Sequence, residues 1–201
     1  MEEKTLNEKE SLELISQMIQ NTKEKMEQGT GNIMLMWGYL TVAISILVYV
    51  CLILTHNGQW NWAWFAIPVI GYPIMVLMDR KEKQKTSYCK THIDSTISTI
   101  WSVLGICMFF ATFFFCWKNY AIVLMPIALI LMGIGSTFTF AILKMKKVSF
   151  FCGLGMALGM GILGDCMQGP LQINRLLFFA LGFVLIMIIP GHYLNYKARR
   201  R

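Results

Sequence analysis

Charged residues are scarce in this sequence, and the few that are present are concentrated in short clusters. Only 14% of the residues are charged and 56% are hydrophobic, whereas a typical soluble domain has about 25% charged residues. Acids are the scarcest, because 11 Asp and Glu stand against 18 Lys and Arg. A water-facing surface needs more charge than this, so the composition excludes an ordinary soluble protein.

Six long stretches of the chain contain no Asp, Glu, Lys or Arg. A helix that spans a membrane needs about 20 apolar residues, with a range of about 17–25, and all six stretches have a suitable length. The sequence therefore predicts an all-α polytopic membrane protein with six transmembrane helices. The stretches are Ile33–Leu54, Asn61–Met78, Ser95–Trp117, Tyr120–Leu143, Val148–Gly164 and Leu176–Tyr196.

The distribution of basic residues predicts the orientation of the spans. If the N-terminus lies in the cytoplasm, only Lys118 and Arg175 of the 18 Lys and Arg lie outside, as the positive-inside rule requires. We therefore expect a multi-pass protein of the bacterial inner (plasma) membrane with both termini in the cytoplasm. No cleavable signal peptide is apparent in the polar N-terminal segment, so the first span is expected to act as its own insertion signal.

The N-terminal segment differs in kind from the rest of the chain, with 7 acids and 4 bases. Asn7 and Glu10 resemble a capping box, and Gly29-Thr30-Gly31 is predicted to end the helix before the first span. Because lipid-binding helices that lie in the membrane plane are rich in Lys and Arg, this helix is expected to dock on protein. The alternative is a solvated helix without a partner. Its apolar stripe consists of Leu12, Ile15, Met18, Ile19 and Met26.

Three segments follow from these patterns. They are a cytoplasmic amphipathic helix at 1–31, a six-helix transmembrane domain at 32–196 and a basic cytoplasmic tail at 197–201.

From Glu10 to Leu40 the chain reads ESLELISQMIQNTKEKMEQGTGNIMLMWGYL. This segment resembles the start of a family of small uncharacterised bacterial membrane proteins, and a similar multi-span hydropathy follows it. The resemblance implies a membrane location, but no activity and no site residues.

The fifth predicted span contains the glycine-rich stretch GLGMALGMG at 153–161. A phosphate-binding loop would need a preceding strand and exposed backbone N–H groups, and neither is expected at bilayer depth. Small residues four apart instead favour close helix packing. We therefore predict that this helix is central in the bundle or lies at a homodimer interface, with a ligand channel as the alternative.

Two predictions concern the outer ends of the spans. Asp165 and Arg175 are expected to form an ion pair there, since charges at the membrane edge commonly pair; a substrate-binding carboxylate is the alternative. A disulfide between Cys116 and Cys166 is geometrically feasible in an oxidising exterior.

The tryptophans of the WNWAW segment are expected to lie at the outer membrane–water interface, where aromatic rings are common. The alternative for Trp60, Trp62 and Trp64 is an exterior aromatic binding platform. Pro68, Gly71 and Pro73 are expected to kink the second predicted span, and Pro190–Gly191 interrupts the sixth near its inner end.

Little in the sequence indicates catalysis. Ser136 and His192 invite comparison with rhomboid proteases, but no polar cluster supplies an oxyanion site. Cys89, His92 and His192 would supply three ligands where structural zinc takes four. No catalytic, cofactor-binding or metal-binding residues are therefore assigned. The predicted spans contain no acid or base at mid-depth, where ion-coupled transporters usually carry one.

The sequence thus predicts a non-enzymatic accessory or partner-binding membrane protein. The alternative is a small homodimeric permease for a neutral or hydrophobic solute, with an intramembrane enzyme behind both. The expected partners are the lipid bilayer, a protein bound by the N-terminal helix and a second copy, without nucleic acid, metal or cofactor. A permease would gain support if six polar side chains converged at mid-depth: Thr41, Ser45, Thr112, Ser136, Thr137 and Thr139.

Overall fold

The computed structural model of the chain describes residues 8–85, 92–118, 120–168 and 172–200. All regular secondary structure in these ranges is helical, in agreement with the predicted fold class. The elements are α1 (Glu8–Thr55), a 3₁₀ segment (Gly58–Phe65), α2 (Ala66–Lys85), α3 (His92–Trp117), α4 (Ala121–Ile142), α5 (Lys146–Gln168), α6 (Arg175–Phe183), a π segment (Val184–Ile188) and α7 (Ile189–Arg199).

Six helical stretches are long and apolar enough to cross a membrane, which confirms the predicted number. This is the architecture of a multi-pass membrane protein. The sixth stretch is composite, because it joins α6, the π segment and α7 end to end. The six are Gly29–Thr55, Gly58–Lys81, Ser95–Trp117, Val123–Ile142, Lys147–Gln168 and Arg175–Arg199.

The sixth span lies at the centre of the bundle. It packs against α1 and also against the α4–α5 pair, while α2 packs on α1 and α3 packs on α4. Of the most apolar windows, 56% of the fourth span and 50% of the sixth are buried, against 11% for each of the second and third. The core is therefore built around the fourth and sixth spans, and α2 and α3 are peripheral.

α1 is a single continuous helix of 48 residues. The predicted helix end at Gly29-Thr30-Gly31 is wrong, since the helix passes through these residues without a break. Glycine permits a helix end but does not force one. The predicted cap at Asn7 lies outside the described residues. Of the apolar stripe, only the Leu12 side chain is described, and it is 67% exposed.

The fifth span, predicted to be central in the bundle or to lie at a homodimer interface, contacts the bundle along one side. α5 packs along α4 and against α6 and the π segment, but only 22% of its most apolar window is buried. One of its faces therefore contacts the bundle, while the other remains open within the single chain.

The three tryptophans of the 3₁₀ segment do not share one environment. Trp60 and Trp62 are exposed, whereas Trp64 is buried and meets the Phe179 ring edge-on, with 5.4 Å between the ring centroids. A 3₁₀ helix has three residues per turn, so alternate residues point in three different directions. Trp64 therefore belongs to the core of the bundle, whereas Trp60 and Trp62 lie on its surface. The depth of these rings in the membrane stays a prediction.

α4 ends in a tight turn before α5 begins. The Met145 N–H donates to the Phe140 carbonyl at 2.8 Å, and Lys144 adopts a left-handed conformation with φ of 57°. This is the Schellman arrangement, in which glycine usually occupies the left-handed position. The buried Met145 side chain completes the turn.

Candidate functional site

The first and last spans are joined by a polar contact at the end of the bundle where α7 ends and from which the N-terminal part of α1 extends. The Asn195 Nδ2 group donates to Asn32 Oδ1 at 2.7 Å. Glycines lie on both sides of this contact, at Gly31 in α1 and Gly191 in α7. These four residues are called the α1–α7 clamp.

The glycines of the clamp allow the two backbones to approach each other closely. A Cβ atom on Gly191 would lie 2.8 Å from Leu35 Cγ and 3.1 Å from the Gly31 carbonyl oxygen. A Cβ atom on Gly31 would overlap Asn195 Oδ1, a buried oxygen that accepts no hydrogen bond from the described residues. The absence of a side chain at Gly31 therefore leaves the space that this oxygen occupies.

A second polar pair lies one to two turns further into the bundle. The Tyr39 hydroxyl is 2.7 Å from His192 Nε2, and both side chains are exposed. His192 is therefore hydrogen-bonded to Tyr39 rather than to Ser136, whose fully buried hydroxyl has no hydrogen-bond partner among the described residues. The arrangement does not assemble the serine–histidine pair that a rhomboid-like enzyme would need.

The polar side chains considered for a mid-depth cavity are mostly bonded to their own helices. The hydroxyls of Ser45, Thr112, Thr137 and Thr139 each donate to the carbonyl four residues earlier, at 2.6–2.9 Å. Thr139 also accepts a bond from Trp101 Nε1 at 3.1 Å. This is the usual way in which a hydroxyl is satisfied in a membrane helix.

The sixth span changes its hydrogen-bonding pattern just before Pro190. Proline has no N–H, so the Ile186 carbonyl loses its normal α-helical donor. Ile186 lies within the π segment, and the Cys152 thiol of α5 lies 4.0 Å from the Ile186 carbonyl oxygen. Local π geometry and neighbouring side chains are common compensations for proline in membrane helices. Beyond the π segment, α7 packs mainly on α1.

At the other end of the bundle, the predicted ion pair is confirmed. Arg175 Nη2 lies 2.9 Å from Asp165 Oδ2, and both side chains are about one-third exposed. Cys116 and Cys166 are free thiols, and the Cys116 thiol instead contacts the Asn61 carbonyl at 3.6 Å. The possible disulfide is therefore absent from the structure.

The metal-site alternative is only partly testable. Cys89 and the side chain of His92 lie outside the described residues, and no cluster of three His, Cys, Asp or Glu occurs in the part that is described. No family model, curated protein or solved structure matches the chain. The resemblance of Glu10–Leu40 to a bacterial family thus stays an expectation.

The clamp was not predicted from the sequence. Asn32 and Asn195 lie near the ends of apolar spans, and polar side chains in that setting often join helices. That signal could have marked both asparagines as contact residues. It could not have paired them, because pairing depends on which helices are neighbours.

Proposed function

We propose that the protein is a non-enzymatic accessory subunit of the bacterial inner membrane that binds a partner protein through the N-terminal part of α1. This part, residues 8–28, is called the arm. In the proposal both chain termini lie in the cytoplasm, as the basic residues predict.

The observation that carries the proposal is the continuity of α1. Its 48 residues correspond to about 70 Å of helix, whereas a bilayer with its headgroups is about 40–45 Å thick. The arm accounts for about 30 Å beyond the first span. A helix of this length is marginal alone in water, but here it continues a helix that is already formed.

The base of the arm is held in place by the α1–α7 clamp. Gly31 and Asn32 lie three and four residues after the end of the arm, and both contact α7. A force or a partner acting on the arm would therefore act on the sixth span, which is the centre of the bundle. This connection is what an accessory subunit needs in order to transmit binding to its membrane domain.

The composition of the arm favours protein over lipid as its partner. The N-terminal segment carries more acids than bases, and anionic headgroups repel such a helix. Leu12 nevertheless exposes 67% of its surface. The permease alternative has less support, since most of the polar side chains that would line a transport path bond to their own helices.

Site-specific photo-crosslinking in intact cells tests the proposal. A photoreactive residue at Ser16, one turn from Leu12 and on the same face, should capture a protein; at Gln17, which faces away, it should not. Leu12→Asp should abolish the adduct, and Glu13→Gln should preserve it. Equal capture at both positions, or none at either, would contradict the proposal.

The orientation is tested separately with reporter fusions. A reporter that is active only in the cytoplasm should be active after Arg201 and inactive at Gly58. The reverse pattern would place the arm outside the cell and overturn the proposed location.

A further inference from the structure

α7 presents one continuous exposed face at the end of the bundle that carries the termini. Residues spaced by 4, 7 and 8 positions share a face of a helix, and the side chains at these spacings from His192 are all exposed. Tyr193 borders the same face. Its members are His192, Tyr196, Arg199 and Arg200.

The positive charges on this face have no acidic partner among the side chains that the structure describes. The Arg200 guanidinium lies over the Tyr196 ring, 4.5 Å from its centroid, and no carboxylate forms an ion pair with Arg199 or Arg200 there. A guanidinium held on an aromatic face keeps its N–H groups free for another acceptor. Planar guanidinium groups match phosphate oxygens well.

Hydrogen-bonding groups continue along the same face toward the bilayer interior. His192 and Tyr39, which are hydrogen-bonded to each other, lie about 10 Å from Arg199 along the helix axis. Tyr39 is 51% exposed beside the apolar part of α1. In a bilayer crossed by the sixth span, this face would carry charge at the headgroup level, aromatic rings at the interface and polar groups just below it.

We propose that the exposed face of α7, together with Tyr39, is a binding site for an anionic phospholipid. The lipid phosphate lies against Arg199 and Arg200, and its ester oxygens lie near the Tyr39–His192 pair. Charge complementarity selects this occupant, because the face is cationic at one end and amphipathic along its length. Its position at the end of a membrane-spanning helix places it where such lipids are found.

General attraction between basic residues and an anionic bilayer is the competing explanation. Arg80 and Lys81 of α2 provide a matched comparison, since they are exposed and lie at the same end of the bundle. Neither is stacked on an aromatic ring among the described residues. General attraction predicts that Arg80 and Lys81 contribute as much to lipid binding as Arg199 and Arg200 do. A specific site on α7 predicts that Arg199 and Arg200 contribute more.

The test is native mass spectrometry of the full-length protein released from nanodiscs of phosphatidylcholine mixed with phosphatidylglycerol. The wild type should retain phosphatidylglycerol in preference to phosphatidylcholine. The double variant Arg199→Gln/Arg200→Gln should bind it about 30-fold more weakly, since each basic residue near the surface contributes about fivefold. The control double variant Arg80→Gln/Lys81→Gln should keep most of the wild-type binding.

Tyr196→Leu removes the ring contact without changing the charge and should weaken binding about two- to fivefold. Equal losses in the two double variants, an unaffected Tyr196→Leu variant or equal retention of the two lipids would each overturn the site. Displacement of the lipid by inorganic phosphate at similar concentration would show that the site takes free phosphate instead.

Discussion

Two sets of glycines share α5, and their surroundings differ completely. A Cβ atom on Gly155 would lie 3.2 Å from the Gly182 carbonyl oxygen, and one on Gly159 would lie 2.9 Å from Leu129 Cβ. A Cβ atom on Gly153 or Gly161 would have no atom within 4 Å. Both sets lie in the same helix and belong to four-residue repeats of small residues, with Ala157 midway between Gly153 and Gly161. Spacing therefore identifies a smooth helix face but does not say whether a neighbour covers it.

The largest expected effect comes from filling the packed positions. Gly155→Leu and Gly159→Leu should each destabilise the bundle by about 1–3 kcal/mol, because overpacking forces neighbouring backbones apart. The double variant should lose more. Thermal unfolding of the purified protein in detergent would measure the loss.

The open glycines of the same helix provide the control for this experiment. Gly153→Leu/Gly161→Leu should not lower the stability, because leucine would meet no neighbour at its Cβ and favours the helix more than glycine does. If both double variants unfold at the same temperature, the difference between the two faces of α5 has no energetic meaning.

A smaller effect is expected at Gly31, where the crowding atom belongs to a side chain. Gly31→Ala would place a methyl group against Asn195 and 3.1 Å from the Gly191 carbonyl oxygen. We expect a loss of about 1–2 kcal/mol, since overpacking is partly offset by the better helix propensity of alanine.

A double-mutant cycle separates these contributions at the clamp. In an Asn195→Ala background the overlapping amide is gone, so Gly31→Ala should cost less than it does in the wild type. Equal costs in the two backgrounds would mean that Asn195 does not set the requirement for glycine at this position.

Lys144 represents the opposite situation, in which the backbone suits glycine but the sequence has lysine. Its left-handed conformation costs a non-glycine residue about 1–2 kcal/mol, while glycine adds entropy to the unfolded chain. Lys144→Gly should therefore raise the stability by about 0.5–1 kcal/mol in the same unfolding assay. Lys147→Gly, on the exposed part of the first turn of α5, is the comparison and should lower it.

The features that were predictable from the sequence depend on composition and length. Six spans follow from six uncharged stretches, and the Asp165–Arg175 pair follows from two isolated charges at one membrane edge. Each argument uses only the residues themselves and the thickness of the bilayer. No knowledge of helix neighbours was needed.

The features that were missed depend on contacts between helices. The sequence around Gly31 resembles a helix end, and only the approach of α7 explains why glycine is needed inside a continuous helix. The burial of Trp64 against Phe179 depends on the 3₁₀ geometry of its segment and on the position of α6, and neither is apparent from the sequence. The π segment likewise reflects how Pro190 is accommodated against α5, which local propensity does not describe.

The smallest expected effect concerns the open face of α5 and separates two interpretations of it. If lipid covers this face, Gly161→Ala should raise the stability by about 0.5 kcal/mol, because alanine favours the helix and meets no neighbour. If a second copy covers it, as the predicted homodimer would require, the added methyl group should hold the two helices apart and weaken their contact. Unfolding and oligomer size should be measured together for Gly161→Ala and Gly161→Leu. A gain in stability with unchanged oligomer size would show that lipid covers this face. A loss of stability together with dissociation would show that a second copy covers it, and Gly153 and Gly161 would then have the same packing role as Gly155 and Gly159.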